Sequence, residues 1–161
     1  MNEKLCRASA AAFAGLRDRS EHVSFAESLT GGMIAAALVE NAGASDVLGE
    51  SYVTYAPEAK MRILGVRRET VDAAGVVSAQ CAREMAAGVR RISSADWGVS
   101  ATGLAGPDGG TQETPVGTVF IGVAGARGVE AYEYHFSGDR GEIRAQAACA
   151  ALEALGKAME G

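Results

Sequence analysis

The hydrophobic repeat of this chain changes period several times, and the order of those changes limits what it can fold into. Leu5, Ala8, Ala12, Phe13 and Leu16 recur at helical spacing, and Arg17–Ser20 end that helix. Val23, Phe25 and Glu27 then alternate as in a strand. Thr30-Gly31-Gly32 breaks the pattern, with Thr30 as the expected N-cap. Ile34, Ala37 and Leu38 mark a second helix, closed by the turn at Asn41–Ser45. Ser51–Tyr55 is rich in β-branched and aromatic residues and reads as a strand. Pro57 opens a short helix that runs to Leu64 and stops at Gly65. Glu69–Ala73 forms another short helix. Ser78 caps a longer one that buries Ala82, Met85, Val89 and Ile92. Three strands follow, at Asp96–Ala101, Val116–Val123 and Val129–Phe136, the last two joined as a hairpin through Gly125–Gly128. From Asp139 onward a terminal helix buries Ala145, Ala148, Leu152, Leu155 and Met159.

Helix and strand alternate first, and a hairpin comes late. That order predicts an α/β fold: a three-layer α/β/α single domain, residues 1–161, with a mixed, mainly parallel sheet. A chain of 161 residues is the usual size for one domain. Hydrophobic residues make up 48% of it but aromatics only 6%, so the core is expected to be built from Ala, Val, Leu and Ile. The net charge of −5 argues against a nucleic-acid groove. It leaves a small anionic ligand open, because local arginines and backbone N–H groups decide that. Cys6, Cys81 and Cys149 form no CxxC pair and read as small buried hydrophobes on helices. The N-terminal residues Met1–Lys4 carry no long apolar run. No signal peptide and no membrane span are expected, and the cytoplasm is the expected compartment.

Four segments carry residues suited to chemistry. In Glu27-Ser28-Leu29-Thr30-Gly31-Gly32 a serine sits where a strand gives way to a helix. Small residues there let backbone N–H groups approach a phosphate or a developing oxyanion. Tyr52–Lys60 is a strand followed by a helical turn that aims Tyr55 and Lys60 at one spot. The chain has only three lysines and offers no clearly better base than Lys60. Thr102–Thr111 follows a strand and is crowded with glycine. The connection extends to Pro115, and loops of that length are usually functional. It holds neither a P-loop nor a dinucleotide fingerprint. Phe136–Arg144 opens the last helix, and Arg140 or Arg144 there is suited to fork onto a phosphate or carboxylate. Taken singly, each segment also fits an ordinary turn or a solvated helix start. His22 and His135 have no acidic partner at a recognisable spacing, so a Ser-His-Asp triad is not indicated. No His, Asp and Glu cluster has ligand spacing, so neither a metal nor a cofactor is expected.

Together the segments resemble the C-terminal domain family of the CinA (competence-damage-inducible) proteins. The resemblance runs from about Leu5 to the last helix. It rests on AESLTGG at Ala26–Gly32, VTYAPEAK at Val53–Lys60, LGV at Leu64–Val66, TGLAGPDGG at Thr102–Gly110, PVGTV at Pro115–Val119 and FSGDR at Phe136–Arg140. Stand-alone members of that family are similar to nicotinamide-nucleotide amidohydrolases, which convert nicotinamide mononucleotide and water to nicotinate mononucleotide and ammonia. The resemblance implies a Ser/Lys hydrolase with Ser28 as nucleophile and Lys60 as its base. Tyr55 would assist the proton relay or orient the lysine. Arg140 would hold substrate or position the dyad. Thr30, Gly31, Gly32, Thr102, Gly103, Gly106 and Arg144 would contact the substrate. The sequence departs from the family at Leu29, often cysteine, at Ala56-Pro57, often Ser-Asn, and at Val76, often alanine. None of these touches the proposed dyad. Larger CinA proteins carry a separate N-terminal domain. At this length that domain is not expected, and its activity is not carried over. A homodimer or higher homo-oligomer is expected from the resemblance and the prevalence of twofold assemblies.

The chemistry sets a condition on Lys60. At an unperturbed pKa of ~10.4 it would be neutral at pH 7 about once in 2,500 molecules, a handicap of roughly 4–5 kcal/mol. That would forfeit most of the ~10²–10⁴-fold a general base supplies. Its pKa is therefore expected to be lowered by burial and by a positive field such as Arg140 or a helix N-terminus. The oxyanion donors remain open between Leu29–Gly32 and the Gly103–Gly110 loop. So does the phosphate site, between the second helix's start and the glycine loop. Two other functions share the same residues: a nucleotide-binding regulatory domain without turnover, and a Ser/Lys amidase on another small carboxamide.

Overall fold

The computed structural model describes residues 1–161. The chain runs α1 (Glu3–Arg19), β1 (Val23–Glu27), α2 (Met33–Val39), β2 (Leu48–Val53), α3 (Pro57–Leu64), α4 (Arg68–Ala73), α5 (Ala79–Ser93), β3 (Trp97–Gly103), β4 (Thr118–Gly125), β5 (Gly128–His135) and α6 (Arg140–Glu160). The five strands form one sheet in the order β2-β1-β3-β4-β5. β1 pairs in parallel with both β2 and β3, while β4 is antiparallel to β3 and β5. This is the expected mixed α/β/α sandwich, with its parallel part centred on β1.

Burial explains the layers. β1 is buried along its whole length, as a strand covered on both faces must be. The larger core packs α1, α2 and α6 on one face around Phe25, Leu38, Ile121 and Leu155. The smaller one lies on the other face, where Leu64, Cys81, Met85 and Val89 join α3 and α5 to Ala26. α5 lies unusually close to the sheet. A Cβ on Gly98 or Gly122 would run into the carbonyls of Ala86 or Ala82, so glycine is required at both positions. No helix is long and apolar enough to cross a membrane.

Several local expectations shift. β2 starts earlier and ends sooner than the expected Ser51–Tyr55. Its partner β1 stops at Glu27, and the carbonyls of Thr54 and Tyr55 accept from a side chain instead of a strand. Thr30 is not the N-cap of α2. Gly32 holds that position at φ 98°, and the capping acceptor comes from β1. Cys6 is exposed, whereas Cys81 and Cys149 are buried. Ile92 lies in the last turn of α5, just before the chain turns at Ser94, and is exposed.

Candidate active site

The C-terminal ends of β1, β2 and β3 lie along one edge of the sheet because the three strands run parallel. The chain leaves β1 for β2 through α2 on one face and reaches β3 through α3–α5 on the other. The connections therefore diverge between β1 and β3, the place where open α/β sheets form a ligand crevice. Ser28 follows β1 directly, Thr54 follows β2, and Thr102 and Gly103 end β3.

Lys60 reaches this edge from α3. Its Nζ lies 2.9 Å from Ser28 Oγ, 2.6 Å from the Thr54 carbonyl oxygen and 3.2 Å from that of Tyr55. Lys60 is 1% exposed, and no carboxylate pairs with it. Burial lowers its pKa from the ordinary lysine value. The Cys81 thiol, which a charged lysine would favour as thiolate, supplies no counter-charge at pH 7, because burial pushes it up to about 11. Arg140 contributes nothing to the shift, contrary to expectation. As an ammonium, Lys60 donates one N–H to each of the three oxygens, Ser28 Oγ and the Thr54 and Tyr55 carbonyls. Carbonyl oxygens only accept, so once the amine is uncharged its two N–H groups stay on Thr54 and Tyr55 and its lone pair faces the Ser28 hydroxyl. Such an amine is placed to take the serine proton.

The backbone after Ser28 can be accounted for donor by donor. Ser28 N–H donates to Ala101 O, Gly31 N–H to Ser28 O, Met33 N–H to Thr30 O and Ala36 N–H to Gly32 O. Gly32, Ile34 and Ala35 N–H donate to the Glu27 carboxylate at 2.9, 3.1 and 3.0 Å. The N–H groups of Leu29 and Thr30 alone have no acceptor, and both residues are buried. Two adjacent free donors beside a serine hydroxyl are suited to a developing oxyanion. Arg144 helps aim one of them. Its Nε donates to Leu29 O at 2.8 Å and its Nη2 to Thr30 O at 3.0 Å. The Leu29–Thr30 peptide is trans, so drawing Leu29 O onto Arg144 turns Thr30 N–H the opposite way.

The remaining expected site residues are distributed around this pair. Tyr55 gives its carbonyl to Lys60, while its phenol accepts from Arg140 Nη2 at 3.1 Å. Arg140 Nη1 donates to Gly106 O at 2.6 Å and so ties the glycine loop to Tyr55. Thr102 Oγ1 donates to the Val76 carbonyl at 2.6 Å. A Cβ on Gly103 would meet the Thr118 carbonyl, so that glycine serves strand packing. Gly31 (φ 59°) and Gly32 make the left-handed turn into α2, and Gly32 N–H is committed to Glu27. The start of α2, one of the two places left open for the phosphate, is thus already filled by a carboxylate.

Two residues, Glu27 and Thr54, escaped the sequence reading. Glu27 carried a faint signal, as a charged residue in the inward phase of a strand before Gly-Gly. The Thr54 hydroxyl is buried without a partner on the residue whose carbonyl accepts from Lys60, and the Thr30 hydroxyl, on a residue expected to contact substrate, is likewise unpartnered two residues after Ser28. Nothing in the spacing marks Thr54. His22 and His135 do have acidic neighbours, Asp96 at 3.8 Å and Glu133 at 2.9 Å, but both are exposed and neither contacts Ser28. Surface concavities of about 400 and 510 Å³ lie around the β4–β5 turn and include none of the expected residues.

Known proteins match this chain along most of its length. The family described as the CinA C-terminal domain matches residues 7–159. A "CinA-like protein" of Anaeromyxobacter sp. (strain K) is 51% identical over 142 residues, covering 88% of this chain and 35% of the relative. A "putative competence-damage inducible protein" of Clostridium novyi (strain NT) is 44% identical over 140 residues, covering 87% of this chain and 34% of the relative. The chain therefore spans about a third of the length of the curated relatives it matches. Among solved structures, the competence/damage inducible protein CihA from Agrobacterium tumefaciens has a TM-score of 0.95 at 38% identity, covering 100% of this chain and 98% of that one. A CinA superfamily protein from Klebsiella pneumoniae 700603 has a TM-score of 0.93 at 34% identity, covering 99% of each chain.

Proposed function

The chain belongs to the CinA C-terminal domain family, and from that premise we propose that it is a Ser/Lys amidohydrolase that deamidates nicotinamide mononucleotide to nicotinate mononucleotide and ammonia. The observation that carries the reading is a buried lysine without a counter-ion, 2.9 Å from a partly exposed serine hydroxyl. The substrate comes from the resemblance of stand-alone family members to nicotinamide-nucleotide amidohydrolases.

The reaction proceeds in two halves. Neutral Lys60 takes the Ser28 proton as Oγ bonds to the carboxamide carbon. Negative charge moves onto the amide oxygen and is held by the Leu29 and Thr30 N–H groups. The Lys60 ammonium then gives its proton to the amide nitrogen, the C–N bond breaks, and ammonia leaves. This forms a seryl ester. In the second half Lys60 deprotonates water, hydroxide adds to the ester carbon, and the proton returns to Ser28 Oγ as nicotinate mononucleotide departs. Tyr55 and Arg140 close the side of the site facing the glycine loop. Free N–H groups of that loop are the remaining place for the phosphate, since Glu27 fills the start of α2.

The test is direct. The purified protein is incubated with nicotinamide mononucleotide and ammonia is followed. Release by wild type and none by Ser28→Ala supports the reading. Tight binding without release replaces it with a nucleotide-binding domain. Inertness toward this nucleotide with turnover of another carboxamide replaces the substrate but keeps the mechanism.

A further inference from the structure

We propose that Glu27 is a positioning residue for the Ser28 site, fixing the turn so that Leu29 and Thr30 N–H are the donors left free for the substrate carbonyl. The proposal rests on the Ser/Lys reading above. Glu27 is 0% exposed, and burying a carboxylate is costly unless its lone pairs are met. No lysine or arginine pairs with it. Its charge is met by three backbone N–H groups at the start of α2 and, weakly, by the Ser51 hydroxyl at 3.5 Å.

An ordinary cap would not need this arrangement. Serine, threonine or aspartate at the N-cap satisfies the same donors from the helix's own edge. Here the cap comes from the last residue of β1, which is also the residue bonded to Ser28. One side chain therefore locks the direction of α2 to the backbone that carries the hydroxyl. It also removes competing donors. With Gly32, Ile34 and Ala35 committed, the donors left free in this segment are the two N–H groups nearest Ser28. Arg144 fixes the same turn from the carbonyl side.

The test compares wild type, Glu27→Gln and Glu27→Asp, each well below its own melting temperature. The first readout is the second-order rate at which a small fluorophosphonate modifies Ser28, followed by intact mass. In that step Oγ bonds to phosphorus, fluoride leaves and the serine proton passes to Lys60, while the phosphoryl oxygen occupies the place of the oxyanion. The second readout is kcat and KM for ammonia release from nicotinamide mononucleotide. In Glu27→Gln an amide NH₂ confronts N–H donors, and the turn shifts. Labelling and kcat are expected to fall together, on the order of 10–10²-fold, with KM changed less than about threefold. Glu27→Asp, which keeps the charge at shorter reach, recovers part of the loss. A merely structural role lowers the melting temperature but leaves both rates at the wild-type level in folded protein, and that result overturns the proposal. If Glu27→Gln does not fold, Glu27→Asp carries the same comparison, and wild-type rates there overturn it equally. Wild type that is labelled at Ser28 yet releases no ammonia refutes the proposed substrate and leaves the Glu27 comparison standing on labelling. Wild type that is folded and never labelled at Ser28 refutes the Ser/Lys reading and Glu27's role with it.

Discussion

Two neighbouring strand ends in this molecule are built alike and finished differently. β1 and β3 lie side by side, both run into glycine-containing turns, and both carry a hydroxyl residue, Ser28 and Thr102. An arginine of α6 braces each turn by donating to its carbonyls, Arg144 after β1 and Arg140 after β3. The Ser28 hydroxyl meets a buried lysine with no counter-ion, and two N–H groups beside it have no acceptor. The Thr102 hydroxyl is spent on the Val76 carbonyl. Serine and threonine are close to interchangeable as chemistry, so residue type does not separate the two ends. What separates them is whether neighbouring groups are left unsatisfied, and unsatisfied groups are where a substrate gains binding and reactivity.

The sharpest way to break that contrast is to remove the β1 hydroxyl. Ser28→Ala is expected to reduce ammonia release by at least ~10³-fold, because no covalent intermediate forms. Removing the base comes next. Lys60→Met is expected to cost ~10²–10⁴-fold in kcat. In the wild type, activity should rise with pH through the lowered Lys60 pKa, because only the neutral amine accepts the serine proton, and then level off. Stability should carry the same signature. The unfolded chain has an ordinary lysine and binds a proton over a pH range where the folded one does not. Stability contributed at this site therefore rises from the lowered folded value up to the ordinary 10.5. Subtracting the Lys60→Met stability profile from the wild-type one isolates it. A flat difference would mean that Lys60 titrates as if in water.

Much of the fold was legible because it depends on local periodicity. The switch from helical to strand spacing before Ser28 and the glycine stop after α3 are patterns within a few residues, and the elements lie where those patterns put them. The site was legible only in part. Ser28 and Lys60 were marked by residue type and by resemblance, but their meeting depends on β1 and β2 pairing in parallel, which no spacing along 32 residues reveals. The end of β2 was misread for a related reason. β-branched and aromatic residues predict a strand through Tyr55, whereas the carbonyls of Thr54 and Tyr55 are taken by Lys60. Glu27 was seen as an inward strand position, yet its partners are backbone groups five to eight residues on, and backbone donors leave no trace in a sequence.

The two braces should differ in what they control. Arg144→Met frees the Leu29 carbonyl, leaves that of Thr30 to Met33 N–H alone and lets the Leu29–Thr30 peptide rotate, so the expected loss, about 10-fold or more, falls on kcat. Arg140→Met releases Gly106 and the Tyr55 phenol instead. Its loss, also about 10-fold, is expected mainly in KM, since the glycine loop is proposed to hold the nucleotide. Steady-state kinetics on the pair read this out, and a reversed split would move the oxyanion donors to the glycine loop.

Thr102→Val tests the quieter strand end, and its effect should be the smallest on activity. The substitution keeps the shape and deletes one hydrogen bond, leaving the Val76 carbonyl without its donor. A neutral hydrogen bond of this kind contributes about 1 kcal/mol, somewhat more where the orphaned acceptor is shielded from water. Denaturant midpoints should therefore fall while kcat/KM stays within about threefold, because the hydroxyl is already satisfied inside the protein and has nothing to offer a ligand as donor. The opposite pattern, unchanged stability with activity reduced as deeply as by Ser28→Ala, would mean that the Thr102 hydroxyl leaves Val76 when substrate binds. The two strand ends would then work as a pair, and a hydroxyl satisfied in the free protein would still be part of the chemistry.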